Sequence, residues 1–285
     1  MKRLLYILTL LLAPITTWAQ EVVDKPQCPK FTAVEFEGGG SRLIDTYLSP
    51  YSYSGWNIGL NVELMQAMKL DNYNWVWQQL IGLNYGSTRL SMSGAGLTVH
   101  AGANYSFAMM HRSNTPIEGL QLYYGGNLSI MGEYLENYHG GNNPVSVKAD
   151  LSLGLTGMAV YNFTLGKLPF TARYQLTLPV VGLFAQPEYA ESYYEVWLGN
   201  YDNFLHCGTW ANRFDIDNRI TIDMHMGTWA LRIGYHNRIN TTYENNNRYQ
   251  LVMHNCTVGF AGDILSIDYK KSNRPIVRAL YQLPQ

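Results

Sequence analysis

The stretch from Arg213 to Asp223 carries the clearest chemical pattern in this 285-residue chain. Arg213, Asp215, Asp217, Arg219 and Asp223 take odd positions, while Phe214, Ile216, Ile220 and Ile222 take even ones. After a Gly227-Thr228 turn, Arg232 and Arg238 lie on the polar face of the next stretch, against Trp229, Leu231, Ile233, Tyr235 and Ile239. Arg173, Lys148, Asp150 and Glu63 take the polar positions of further stretches. A period of two puts such residues on one face of a strand. Opposite charges facing each other across neighbouring strands can cross-link through charge-assisted hydrogen bonds. Around an open bore, the same groups would form a constriction that selects small solutes.

Other groups with chemical potential are sparse. Nucleophilic catalysis needs a serine, a histidine and an orienting acid or amide in hydrogen-bond reach. His100, with Ser106 six residues on, matches that poorly and reads as an ordinary interior histidine. His225, His236 and His254 occupy consecutive stretches and could hold a metal, but polar packing is the commoner use of such residues. Cys28, Cys207 and Cys256 have no metal-ligand spacing. A Cys207–Cys256 bridge is open in an oxidising envelope, and three free thiols are an alternative of at least equal weight. The sequence therefore points to no enzyme, no cofactor and no metal.

The elements that must carry these residues are long alternating strands. Trp56, Ile58, Leu60, Val62 and Leu64 oppose Asn57, Gly59, Asn61 and Glu63. Trp75, Trp77, Ile81, Leu83 and Tyr85 oppose Gln78, Gly82, Asn84 and Gly86. The pattern returns from Leu97, from Leu120, from Val145, from Phe170, from Phe214 and from Trp229, and more weakly over Tyr249–Ala261. Phe31–Glu37 makes a tenth strand, and Ile264–Lys270 with Ile276–Leu283 would make twelve. The runs, roughly 12–18 residues, are two to three times the length of ordinary soluble strands and suit tilted membrane strands. In hydrocarbon every backbone polar group must be paired, so such a sheet has to close on itself. The expectation is an all-β, single antiparallel transmembrane β-barrel over residues 20–285. Twelve strands are preferred and ten are the alternative, and the long 184–212 stretch is an outside loop or folds into the lumen. A soluble barrel with its apolar face inward is the main structural rival.

Residues 1–19 read as a cleaved signal peptide: Lys2 and Arg3, an apolar run from Leu4 to Leu12, then Thr17-Trp18-Ala19 before the cut. Without Lys2 and Arg3 the formal charge moves from −1 to −3, which argues against a nucleic-acid partner. Charged residues are only 14% and aromatics 13%, a balance that suits lipid-facing walls with aromatic girdles.

The block Leu43-Ile44-Asp45-Thr46-Tyr47-Leu48-Ser49-Pro50, followed by Tyr53-Ser54-Gly55-Trp56, resembles the N-terminal hallmark of an uncharacterised family of Bacteroidetes envelope proteins. Ser192-Tyr193-Tyr194-Glu195-Val196-Trp197 and Arg232-Ile233-Gly234-Tyr235 are similar to it as well. The resemblance implies an exported, barrel-forming protein and brings no catalytic residues. Taken together, the expected function is a structural or interaction protein of the cell outer membrane, or a narrow polar channel. Its partners would be outer-membrane lipid and the barrel-assembly machinery. An envelope enzyme acting on lipid or glycan and a soluble periplasmic ligand-binding barrel are the alternatives.

Overall fold

Alternation of side chains, period two, governs every long element of the computed structural model, which describes residues 30–139, 143–189, 191–199, 203–227 and 229–262. Six strands run in succession from one rim to the other: β1 (Lys30–Asp45), β2 (Ser49–Ala67), β3 (Trp75–Leu90), β4 (Leu97–Asn114), β5 (Leu120–Asn137) and β6 (Val145–Leu165). β7 (Leu168–Ala185) follows, then a short helix α1 (Tyr193–Trp197) and a short strand β8 (Leu205–Thr209). β9 (Arg213–Met226), β10 (Trp229–Glu244) and β11 (Asn247–Gly262) complete the wall. All pairings are antiparallel between neighbours, β7 pairs with β9, and β1 pairs with β11 from Thr32↔Gly262 to Asp45↔Tyr249.

The result is a closed antiparallel barrel of ten strands, with β8 added against the far end of β7. The preferred count of twelve is thereby corrected to ten. β1 and β11 use each other's free edges along nearly their whole length, so no unpaired edge remains in the described wall for two further strands. The segments 264–270 and 276–283, like residues 1–19, lie outside the described residues.

Turn chemistry matches the register. Asn245 and Asn246 both have positive φ (53° and 57°) and join Glu244 to Asn247, the backbone of a two-residue hairpin whose twist suits the strands it connects. Inward-facing glycines mark where a neighbouring backbone comes too close for a side chain. A Cβ on Gly125 would stand 1.8 Å from the Met109 carbonyl oxygen, and one on Gly259 would stand 2.0 Å from that of Val34.

The faces are inverted relative to a water-soluble barrel. Phe36, Ile58, Leu83, Ile130, Leu153, Leu155, Ile233 and Val258 are exposed on the outer wall, while Glu35, Glu63, Arg173, Asp223 and Arg232 are buried inside. The outer wall is also zoned. Toward the rim where β1 begins and β11 ends, here the proximal rim, Tyr161, Phe163 and Phe170 stack in sequence and Trp229 packs on Phe260. Toward the opposite, distal rim, Trp56 packs on Tyr85 with ring centroids 6.0 Å apart. Trp77 and Tyr85 lie eight residues apart on β3, roughly 26 Å along a strand and about 20 Å once tilted by ~40°.

Candidate functional site in the barrel lumen

The polar faces of all ten strands converge on the lumen, and three layers fill it. Nearest the proximal rim, Phe31, Met65, Val76, Met110, Tyr123, Met158 and Val160 form an apolar layer. Nearest the distal rim, Leu43, Tyr53, Leu135, Tyr249, Leu251 and Met253 form a second one. The charged belt lies between and among them.

Its centre is Glu63 on β2. Arg173 reaches it from β7 with two parallel bonds, Nη1 to Oε1 and Nη2 to Oε2, both 2.6 Å. Arg232, on β10, donates to Glu63 Oε2 at 2.9 Å and to Glu35 Oε1 at 3.1 Å. The same guanidinium grips Asp223 on the adjacent β9 through Nε (2.5 Å) and Nη2 (2.6 Å). Its Cζ lies 4.9 Å from the centre of the Phe31 ring, so the belt rests directly on the proximal apolar layer. Gln78 donates to Glu63 Oε1 at 2.5 Å and exchanges hydrogen bonds with Gln175. Arg232 is 0% exposed and Glu63 1%. Charges buried this deeply persist because each one is paired and hydrogen-bonded.

A second group sits farther along the same wall. Arg219 donates to Asp217 (3.2 Å), and His236 bridges Glu37 (2.7 Å) and Asp217 (3.1 Å). Arg238 donates to Asn104 across the bore at 3.0 Å. Near the distal rim Arg213 contacts both Asp150 (2.5 Å) and Asp215, and Asp215 accepts from the Thr241 backbone N–H. Lys148 pairs with Asp45 at 3.1 Å and lies over the Tyr249 ring. Glu63, Arg173, Asp223 and Arg232 thus form one cluster, and Asp217 and Arg219 a second. Arg213 and Asp215 belong to a third, while Arg238 stands opposite Asp217 in the register, beside the second.

Sequence reasoning missed Glu35, Glu37 and Gln175 as members of this network. The signal was available, since Glu35 and Glu37 alternate with Val34 and Phe36. Phe31 at the head of the same face, which belongs to the apolar layer, obscured it.

The histidines resolve differently from one another. His100 is six residues from Ser106 on one extended strand, about 20 Å away. Its real neighbours are Ser41 Oγ, 3.3 Å from Nε2, and Glu133 Oε1, 3.6 Å from Nδ1. That order resembles a nucleophile, a base and an orienting acid, but all three are buried against the distal apolar layer and Glu133 also accepts from Tyr249. His225 bonds Thr171 and His236 sits in the belt, whereas His254 is on the outer wall against Tyr235. No cluster of three His, Cys, Asp or Glu able to hold a metal occurs among the described residues. Cys207 and Cys256 are both free and exposed.

The described residues 184–189, 191–199 and 203–212 cover the distal mouth. Gln186, fully buried, donates to the Glu244 and Asn247 carbonyls (2.8 and 2.6 Å) and accepts from Thr242. Asn143 donates to the carbonyls of both Tyr47 and Glu191, tying three loops together. Burial and the nearby Glu191 and Asp45 carboxylates push the Tyr47 phenol up to about 12, so it stays neutral. Beneath this cover, a cavity lined by Met131, Lys148, Asp150, Arg213 and Tyr249 has a volume of about 10 Å³, room for one water molecule.

A family model described as "Protein of unknown function (DUF3316)" matches residues 3–271. The chain belongs to that family. A search of the curated proteins finds no match. Among solved structures, this DUF3316 chain is similar to the outer membrane protease OmpT from Escherichia coli, at 6% identity and a TM-score of 0.47, over 85% of this chain and 99% of that one. It is also similar to the transport unit of the autotransporter AIDA-I from Escherichia coli (8% identity, TM-score 0.44, 90% and 97% covered). The translocator domain of the autotransporter NalP from Neisseria meningitidis gives 10% identity and a TM-score of 0.38, with 84% and 89% covered.

Proposed function

We propose that this protein is a non-conducting barrel of the bacterial outer membrane that serves as a structural or interaction protein. The observation that carries this reading is the lumen filled from rim to rim: an ionic belt interlocked at 2.5–3.2 Å between two apolar layers. A conducting channel needs a continuous wet path whose groups bind solutes weakly enough to release them, whereas these charges are spent on one another. Membrane placement is supported by the apolar outer wall, by its aromatic belts and by closure of the sheet. An outward apolar face also disfavours the soluble ligand-binding barrel.

Lys30 and Gly262 share the proximal rim, which we assign to the periplasm. The distal loops then face outward and offer the surface for partners. Export would use the leader at residues 1–19, with insertion by the barrel-assembly machinery, in a Bacteroidetes envelope as the Leu43–Pro50 block suggests. The enclosed Ser41–His100–Glu133 group leaves a substrate no approach, so we infer no enzymatic activity.

The test combines outer-membrane fractionation, gel mobility of boiled and unboiled samples, and planar-bilayer conductance. The expected result is a detergent-extracted band that runs faster unboiled and gives no steady conductance. A stable conductance would restore the narrow-channel reading. A protein found in the soluble fraction with no heat shift would overturn membrane placement.

A further inference from the structure

The outer wall carries few charges, among them one carboxylate, Glu136 on β5, bonded by the Tyr134 hydroxyl, and a group of three arginines. Arg42 on β1, Arg89 on β3 and Arg248 on β11 are exposed and point outward, all close to the distal rim. They occupy one arc of neighbouring strands, in the order β11–β1–β2–β3. Arg42 and Arg89 both face Ser54 of the intervening β2 in the register, so their backbones stand two strand spacings apart, about 10 Å. Arg248 lies four residues nearer the rim than Val252, the partner of Arg42.

Hydroxyls fill the spaces between these cations. Arg42 Nε donates to Ser52 Oγ at 3.1 Å, and Ser91 Oγ donates to Ser54 Oγ at 3.1 Å. Among the described residues no carboxylate forms an ion pair with any of the three arginines. The lumen beside them, by contrast, pairs Lys148, Arg173, Arg213, Arg219 and Arg232 with carboxylates. Two residues farther from the rim than Ser54 stands Trp56, half exposed and packed on Tyr85. Below that pair the wall is aliphatic, with Ile58 and Leu83. The arc therefore sits at the level where an apolar belt gives way to polar groups, the level of lipid headgroups.

We infer that this arc is a binding site for a phosphorylated glycolipid of the outer leaflet. The phosphate would lie between the Arg42 and Arg89 guanidinium groups, the sugar hydroxyls against Ser52, Ser54 and Ser91, and the acyl chains down the wall past Trp56 and Ile58. Guanidinium groups suit this task because their planar donors match phosphate oxygens two at a time. The inference rests on the outer-membrane placement proposed above and adds the class of lipid and its location on the wall.

The full-length protein, purified in a neutral detergent, is offered a monophosphorylated diglucosamine lipid, and retained lipid is measured by native mass spectrometry. Parallel samples use the same lipid after phosphatase treatment, the Arg42→Ser/Arg89→Ser double variant, and competition by millimolar inorganic phosphate. The expected result is retention by the native protein, weakened at least tenfold by either the double variant or lipid dephosphorylation, and unaffected by free phosphate. Equal retention of both lipids, or of the phosphorylated lipid by both proteins, overturns the inference. Displacement by inorganic phosphate overturns the assignment to lipid. Both proteins are also checked for the heat-dependent gel shift and for outer-membrane fractionation. A heat-shifting outer-membrane barrel that fails the lipid test overturns this inference alone, whereas loss of the outer-membrane band overturns the placement beneath it.

Discussion

Arg232 shows why single residues matter so much in this lumen. Its guanidinium serves Asp223, Glu63 and Glu35 at once, so its removal leaves three buried carboxylates with weakened compensation. Arg232→Met is expected to cost about 3–5 kcal/mol, because stranding a buried charge is far worse than never burying the pair. The readout is the denaturant midpoint in micelles, or the temperature at which the fast-running band converts to the slow one. Arg173 and Glu63 form a bidentate pair, and coupled residues do not give additive effects. Glu63→Gln should therefore cost clearly less in an Arg173→Met background than in the native protein. Additive costs would show that the bidentate bond contributes little.

At the scale of elements, two devices shape the barrel's function. The first is alternation with inward glycine, which lets neighbouring strands approach where a Cβ would strike the backbone, as at Gly125. The second is the connection between β7 and β9, which lies over the distal mouth instead of standing free. Gln186 holds it to the β10–β11 turn by three side-chain hydrogen bonds. Gln186→Ala leaves the buried Asn247 carbonyl and the part-buried Glu244 carbonyl without that donor, at a cost of about 1–3 kcal/mol for the buried one. The expected outcome is local: residues 186–205 become accessible to added protease while the barrel keeps its heat-dependent shift. Unchanged protease resistance would show that the cover is held by other contacts.

At the scale of the whole molecule, closure by β1 and β11 is the decision that sets diameter, and a ten-strand bore is small enough for side chains to fill. The native Cys256 offers a direct check, because it faces Gly38 across that seam and both are on the outer wall. A Cβ on Gly38 would meet nothing closer than 3.9 Å. Gly38→Cys, with Cys28 and Cys207 changed to Ser, should form a 38–256 disulfide on mild oxidation, since directly opposed Cβ atoms are within reach of a bridge. The cross-linked chain would run faster when boiled without reductant. Failure to cross-link would argue against this seam and reopen the larger count.

What could be read from the linear chain, and what could not, divides along one physical line. Side-chain alternation is local, so the strand faces and the interior position of Glu63, Arg173, Asp215 and Arg232 were legible in a single pass. Which charge meets which depends on curvature and stagger between strands far apart in sequence. Glu63 lies 110 residues from Arg173 and 169 from Arg232, and nothing local specifies those encounters. The strand count was ambiguous for the same reason: a polar-apolar period shows that a segment can join a sheet, and only pairing of the two edges shows where the sheet ends. His100 likewise had a legible face, but its partners Ser41 and Glu133 became neighbours only when the sheet closed around a narrow bore.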